Sequence, residues 1–268
     1  MAAVNAKFPL PGYPAAASDV APVAELLTRL APAKGRLLDL GCGALYATAI
    51  FAALEFECAG WDDYRDPWYR DQGRLERLTA FAGREGIAVH TGDASEGAPL
   101  PFPPASFDVV TVLDVIEHLH QSPRGLLNVA GRLLRPGGAL VVTMPNAVNL
   151  RKRLSVLAGR SNYPRVDGFY WSTGTWRGHV REYTVQETAQ ILCWNGFTIE
   201  YASTFNGIVP GWLRRPLVRR AFEALCRAAP TLRSNLLVAA RRPSGWAPVP
   251  ADEARYRAAI APFVPGGE

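Results

Sequence analysis

Leu37-Leu38-Asp39-Leu40-Gly41-Cys42-Gly43-Ala44-Leu45 is the stretch on which the reading of the whole chain turns. Leu37, Leu38 and Leu40 make a short apolar run of the kind a buried strand shows, and Gly41 and Gly43 break it at once. Tyr46–Leu54 then carries a helical pattern. A strand that passes through a glycine turn into a helix leaves backbone N–H groups bare at the helix start. Glycine's missing Cβ lets a ligand approach them closely. The dinucleotide fingerprint G-x-G-x-x-G would need a glycine where Tyr46 stands, so this turn does not match it.

On either side of this stretch, strands and helices alternate. Val20–Leu30 places Val23, Leu26, Leu27 and Leu30 on one helical face, with Ser18 or Asp19 as its cap. Phe56–Trp61 reads as a second strand that stops at Asp62-Asp63, followed by a loop with Tyr64, Trp68 and Tyr69 and a helix over Arg70–Arg84. Ile87–His90 is a third strand, ending at Thr91-Gly92-Asp93. Phe107–Leu113 is an almost unbroken apolar run, the pattern of a parallel strand buried on both faces. A helix over Leu126–Leu134 is stopped by Arg135-Pro136-Gly137-Gly138, and Ala139–Thr143 makes a fifth strand before Pro145-Asn146. Residues 147–182 then read as an insertion over the sheet's carboxyl edge, with one short helix near Asn149–Leu157. A helix over Thr184–Trp194, a strand over Phe197–Ala202, a helical insertion 212–229 and a last strand Asn235–Arg241 follow.

This order predicts an α/β domain over residues 36–242 with a doubly wound, mostly parallel seven-stranded sheet. A loosely ordered Ala/Pro-rich arm (1–18) and a helix reaching residue 35 precede it, and a Pro/Ala-rich tail (243–268) follows. Hydrophobic residues make up 49% of the chain, enough for a sizeable core. Cys42, Cys58, Cys193 and Cys226 lie far apart with no C-x-x-C pair, which argues against a disulfide framework and a cysteine zinc site. No apolar leader is visible near Lys7, and no run approaches the roughly 18 apolar residues of a spanning helix. The expectation is a soluble, cytoplasmic protein.

Ligands of an open α/β sheet sit beyond the carboxyl ends of its strands, and Asp39, Asp62 and Asp93 each fall at such an end. Asp62 lies 21 residues beyond Gly41, the spacing at which a carboxylate accepts from ribose hydroxyls. Asp93 is placed to accept from an adenine amino group.

Leu37–Gly43, Trp61-Asp62, Gly92-Asp93, Phe107-Asp108, Asp114-Val115-Ile116-Glu117-His118-Leu119, Leu134-Arg135-Pro136-Gly137-Gly138 and Pro145-Asn146, in this order, resemble the class I S-adenosylmethionine-dependent methyltransferases. Within that family they resemble the Glu-His-containing group that includes ubiquinone O-methyltransferases. The resemblance covers about residues 36–202 and implies a Rossmann-like methyltransferase fold. It implies that Asp39 and the Gly41-Cys42-Gly43 turn face the donor's amino acid moiety, Asp62 the ribose, and Asp93 with Ala94 the adenine. Leu113 and Asp114 would flank the sulfonium. Leu45 departs from the family pattern, standing where a third glycine is common.

The acceptor must be read from other residues. Asp114, Glu117 and His118 fall at i, i+3 and i+4, one face of a helical turn, and His179 lies downstream in Gly178-His179-Val180-Arg181-Glu182-Tyr183-Thr184, just before a helix. With His179 they form a candidate divalent-metal set for Mg or Zn. Methyltransferases that act on RNA 3′ ends carry a similar set. Glu117, His118 and His179 are also the candidate catalytic residues, either histidine serving as a base.

From 150 to 242 there are fifteen Arg/Lys against five Asp/Glu, which points to an anionic acceptor or to a solvated basic surface. Aromatic residues of the insertions (Tyr163, Phe169, Tyr170, Trp171, Trp176, Trp212) could stack on rings. Arg151, Arg165, Arg177 and Arg181 could hold negative charge. In 212–222, apolar residues alternate with arginine pairs, as in a helix lying on a membrane surface or one packing on its own core. The expectation is O-methylation of a small-molecule or glycan-like hydroxyl. The alternatives are a metal-dependent RNA 3′-terminal methyltransferase and a non-catalytic donor-binding relative.

Overall fold

The computed structural model describes all residues except 11–12, 14–19, 33, 95–98, 100, 208–214 and 262–268. The candidate caps Ser18 and Asp19, and Trp212 with its neighbours, lie outside the described residues. Seven strands form one sheet: β1 (Arg36–Leu40), β2 (Glu57–Asp62), β3 (Ala88–Thr91), β4 (Phe107–Leu113), β5 (Leu134–Pro145), β6 (Thr198–Phe205) and β7 (Asn235–Arg241). Their order is β3-β2-β1-β4-β5-β7-β6. The first five are parallel, and β7 runs antiparallel to both β5 and β6. The chain winds outward from β1 to β3 and then returns to β4 on the other side of β1. This reversal opens a crevice at the carboxyl ends of β1 and β4, where such sheets bind ligands.

Both faces of the sheet are covered, which explains the unbroken apolar strands. Leu37, Val109, Val141 and Leu237 point to one layer, with Leu26 and Leu27 of helix Val20–Leu30, Ile50 and Phe51 of helix Tyr46–Ala52, and Phe81 of helix Arg74–Arg84. Leu38, Val110, Val142 and Val238 point to the other, with Leu127 and Leu133 of helix Arg124–Leu133 and Leu192 of helix Val185–Trp194. The period of two along each strand divides its side chains between the layers.

Several local expectations are corrected. The arm is not loosely ordered along its described length: Ala2–Lys7 is helical, and Val4, Phe8 and Leu10 are buried in the core. The helix expected over Arg70–Arg84 is broken into Pro67–Arg70, a 3-10 turn and Arg74–Arg84, because Gln72 and Gly73 adopt φ of 54° and 60°. β5 starts at Leu134, before the Pro-Gly-Gly tract: Leu134 pairs with Phe107, and the register slips before Ala139 meets Val109. Insertion 147–182 holds two helices, Leu150–Leu157 and Val166–Tyr170. In the tail, Trp246 donates to the Asn195 carbonyl and packs against Phe197, and Glu253–Ile260 is helical. The four cysteines are free, and no helix among the described residues is long and apolar enough to cross a membrane.

Candidate active site

The glycine turn is shaped by close packing. Gly41 has φ 81°, and a Cβ there would lie 2.4 Å from Val115 Cγ2, so only glycine fits. Leu45, standing where the family has a glycine, keeps the left-handed conformation a glycine would take, at φ 63°. That conformation costs an L-residue about 1–2 kcal/mol. Burying the leucine side chain, which is 1% exposed, contributes about 1.5–3 kcal/mol, so the substitution is tolerated and the turn keeps its shape.

A cavity of about 1300 Å³ opens at the carboxyl ends of β1, β2 and β4. All eight residues expected on the donor side, Asp39, Gly41, Cys42, Gly43, Asp62, Asp93, Ala94 and Leu113, line it. Asp39 is buried, and its two oxygens accept from Thr48 Oγ1 (2.6 Å) and Thr111 Oγ1 (2.7 Å). Burial pushes its carboxyl up to about 6, against the pull of these two hydroxyls. Asp62 Oδ2 accepts from the Gly43 N–H and Oδ1 from the Tyr64 N–H, both at 2.9 Å, so the second strand end holds the glycine turn. Burial raises its carboxyl too. Asp93 is exposed, with Arg65 Nη1 3.4 Å from Oδ2. Tyr13, Trp68 and Tyr69 form an aromatic wall over the turn. The density of rings in the Tyr64–Tyr69 loop was the only sequence signal for it, and Tyr13 gave none.

Across the cavity, the insertion is strapped to the segment after β4. The Val180 and Arg181 N–H groups donate to the Glu117 carbonyl, His118 Nδ1 lies 2.8 Å from the Arg177 carbonyl, and His120 Nε2 lies 2.7 Å from the Trp176 carbonyl. Arg177 also reaches back to Asp63 Oδ1 (3.1 Å), closing the strap over the second strand end.

This strap brings Glu117, His118 and His179 together, with one ligand atom from each lying within 4.8 Å of the others. A ring nitrogen facing a carbonyl or a carboxylate carries the proton. His118 therefore donates from Nδ1 to Arg177, and His179 donates from Nδ1 to Glu182 Oε1 (2.8 Å). Both Nε2 atoms are left as lone-pair donors. Glu117 is 0% exposed, and neither of its carboxylate oxygens has a hydrogen-bond partner. Burial, followed by Asp114, holds its carboxyl well above the ordinary range. Burial, then the charges of His118 and Lys152, pushes His179 down to about 4, so it is neutral at pH 7. The second Glu182 oxygen meets the ammonium of Lys152, whose own value is pushed down to about 8, chiefly by burial.

Asp114 does not join this group. It lines the cavity, but its φ is 53° and the 3-10 turn begins only at Ile116. The i, i+3, i+4 face expected from spacing is therefore not formed. Of the three clustered residues only His118 reaches the cavity wall, while Glu117 and His179 stand behind it. Glu182 lies in the same stretch as His179 but was not singled out, and spacing had no means of finding Lys152. Among the arginines expected to hold an anion, Arg165, Arg177 and Arg181 are paired with Asp167, Asp63 and Glu187.

Residues 17–202, more than half of the chain, match the methyltransferase domain family. A probable S-adenosylmethionine-dependent methyltransferase of Mycolicibacterium smegmatis is 29% identical over 164 residues, 61% of this chain and 52% of that protein. A ubiquinone biosynthesis O-methyltransferase of a Caulobacter species is 28% identical over 111 residues, 41% of each. The chain thus spans about half the length, or less, of these curated relatives. A solved putative methyltransferase of Bacillus halodurans shares the fold with a TM-score of 0.55 at 21% identity, over 82% of this chain and 99% of that one.

Proposed function

The chain belongs to the class I S-adenosylmethionine-dependent methyltransferases, and we propose that it transfers the donor's methyl group to a hydroxyl oxygen of a small-molecule or glycan-like acceptor. The observation that carries this reading is the single cavity with the strand-end acids on one side and His118 on the other. Its volume of about 1300 Å³ exceeds the roughly 300–1,000 Å³ of a site for one small molecule, so donor and acceptor fit together. The residues suit the donor. Asp62 keeps lone pairs for ribose hydroxyls after accepting its two N–H bonds, and Gly41 permits close approach. When bound, the donor supplies an electrophilic methyl group on a sulfonium. The chain's task is to align the acceptor with it and to exclude water. Relatives named for O-methylation support oxygen as the target. Calorimetry with S-adenosylmethionine tests the reading, and a protein with no affinity for it overturns it.

On the acceptor side we propose a divalent ion held by Glu117, His118 and His179. Two imidazole lone pairs and a buried carboxyl without a hydrogen-bond partner converge, a donor set that a cation would complete by displacing the proton that burial favours on Glu117. Two imidazoles and one carboxylate suit a borderline ion such as zinc better than magnesium, which takes oxygen ligands. When bound, the ion would supply Lewis acidity beside the cavity wall. A neutral His179 held low by burial serves better as a ligand than as a base at pH 7. A terminal RNA acceptor is distinguished by salt: its affinity would fall steeply with ionic strength, whereas a small acceptor's would fall mildly.

A further inference from the structure

We propose that the outer surface of residues 150–171, together with helix Pro216–Ala228, binds the surface of an anionic lipid bilayer. This inference stands apart from the methyl-transfer reading, because none of its residues lines the cavity. Large apolar side chains of a folded domain are seldom bare in clusters. Here Leu157 is 83% exposed, Val166 78%, Trp171 76% and Leu217 78%, with Phe169 and Tyr170 also bare. The apolar stripe of Pro216–Ala228 does not pack on the core as a whole: Cys226 is buried, while Leu217, Val218 and Leu225 remain exposed.

The two elements are neighbours. Arg153 Nη2 of helix Leu150–Leu157 lies 3.1 Å from Thr231 Oγ1, and Thr231 belongs to the 3-10 turn Pro230–Leu232 that follows helix Pro216–Ala228.

Charge selects the occupant. Residues 150–171 and 215–228 carry nine Arg/Lys against Asp167 and Glu223. Both acids are already paired within the surface, with Arg165 and Arg219. The remaining cations include the exposed Arg160 and Arg220, interleaved with the bare apolar residues. An apolar face ringed by arginines, with Trp and Tyr among its exposed residues, has the composition of an element lying in the headgroup region. A protein partner of matching area would need an acidic and apolar surface together. A bilayer containing anionic lipid offers both. The surface also adjoins the cleft, since Phe169 packs at 5.5 Å edge-on against Trp176, a cavity-wall residue. On the methyl-transfer reading, such a position would let a bilayer-resident hydroxyl acceptor reach the cavity.

The test is sedimentation of the full chain with vesicles of phosphatidylcholine alone and with phosphatidylglycerol mixed in. Binding is expected to the mixed vesicles, to weaken as salt rises, and to be at least tenfold weaker to neutral ones. The double variant Leu157→Ser/Trp171→Ser and the charge variant Arg160→Glu/Arg220→Glu should each lose on the order of tenfold in vesicle affinity. Their affinity for S-adenosylmethionine and their melting temperature should stay unchanged, because all four side chains are exposed. No binding to the mixed vesicles overturns the proposal, as does binding that the two variants leave intact. Self-association abolished by Leu157→Ser/Trp171→Ser, without vesicle binding, would assign the surface to a second copy of the chain.

Discussion

The two sides of the cleft are built on opposite terms. On the side of β1 and β2, the buried Asp39 and the half-buried Asp62 are already satisfied: Asp39 by two threonine hydroxyls, Asp62 by two backbone N–H groups. On the far side, Glu117 is fully buried with neither oxygen bonded. Leaving such a group unpaired costs at least about 1–3 kcal/mol. The contrast teaches that the first side is part of the fold's own hydrogen bonding and stands without a ligand. The second holds its geometry through the strap from residues 176–182, which leaves the Glu117 oxygens without a hydrogen-bond partner.

The largest expected effect tests that asymmetry directly. His179→Ala should lower zinc affinity on the order of a hundredfold or more, taking the ion content of chelator-washed and reloaded protein from one per chain to none. Donor affinity should stay within about threefold, since His179 does not line the cavity that the donor-side residues line. Equal losses in both would dissolve the distinction between the two sides. Wild-type protein that takes up no zinc would remove the ion altogether.

Asp62→Ala is the mirror experiment. It removes a charged acceptor and strands the Gly43 and Tyr64 N–H groups, so donor affinity should fall about tenfold to a hundredfold with zinc content unaffected. Calorimetry reads the first and elemental analysis the second. Glu182→Ala should act at a distance from the ion: with its Nδ1 partner gone, His179 can adopt the other tautomer, and zinc affinity should drop about tenfold.

Proton linkage offers a smaller effect on the satisfied side. The Asp39 carboxyl is raised from 3.8 to about 6 by burial, so the native state holds its proton more tightly than the unfolded chain does. The stability this confers is fully present below about pH 4 and is lost as pH rises through about 6. Binding a cationic donor reverses the preference, so donor affinity should decline as pH falls below about 6, by no more than about tenfold per unit. Asp39→Asn should flatten that profile in titration calorimetry between these limits. A profile that survives the substitution would point to another group.

The smallest effect belongs to the fold alone. Thr184 and Glu187 form a reciprocal capping box at the start of helix Val185–Trp194. Thr184→Ala should cost about 1 kcal/mol and lower Tm by about 2–4 °C, with donor and zinc binding unchanged. A loss of zinc in this variant would tie the second side to global stability rather than to its own strap.

What the sequence determined by itself is what local pattern encodes. The apolar period, the glycine turn and the acids at strand ends sufficed for the sheet and for one wall of the cavity, because backbone hydrogen bonding and burial impose those patterns residue by residue. Leu45 departs from the family pattern without consequence for the turn, since burial compensates its left-handed backbone. Only the tertiary structure decided the other wall. His179, which the sequence already grouped with Glu117 and His118, reaches them on a strap about 60 residues downstream whose bonds run to backbone carbonyls, and a carbonyl has no signature in sequence; Glu182 on the same strap and Lys152 on helix Leu150–Leu157 join it only in the fold. Asp114 was excluded for the complementary reason. Its spacing is helical, but its φ of 53° turns the chain before the helix begins, and spacing reports periodicity only where the period exists.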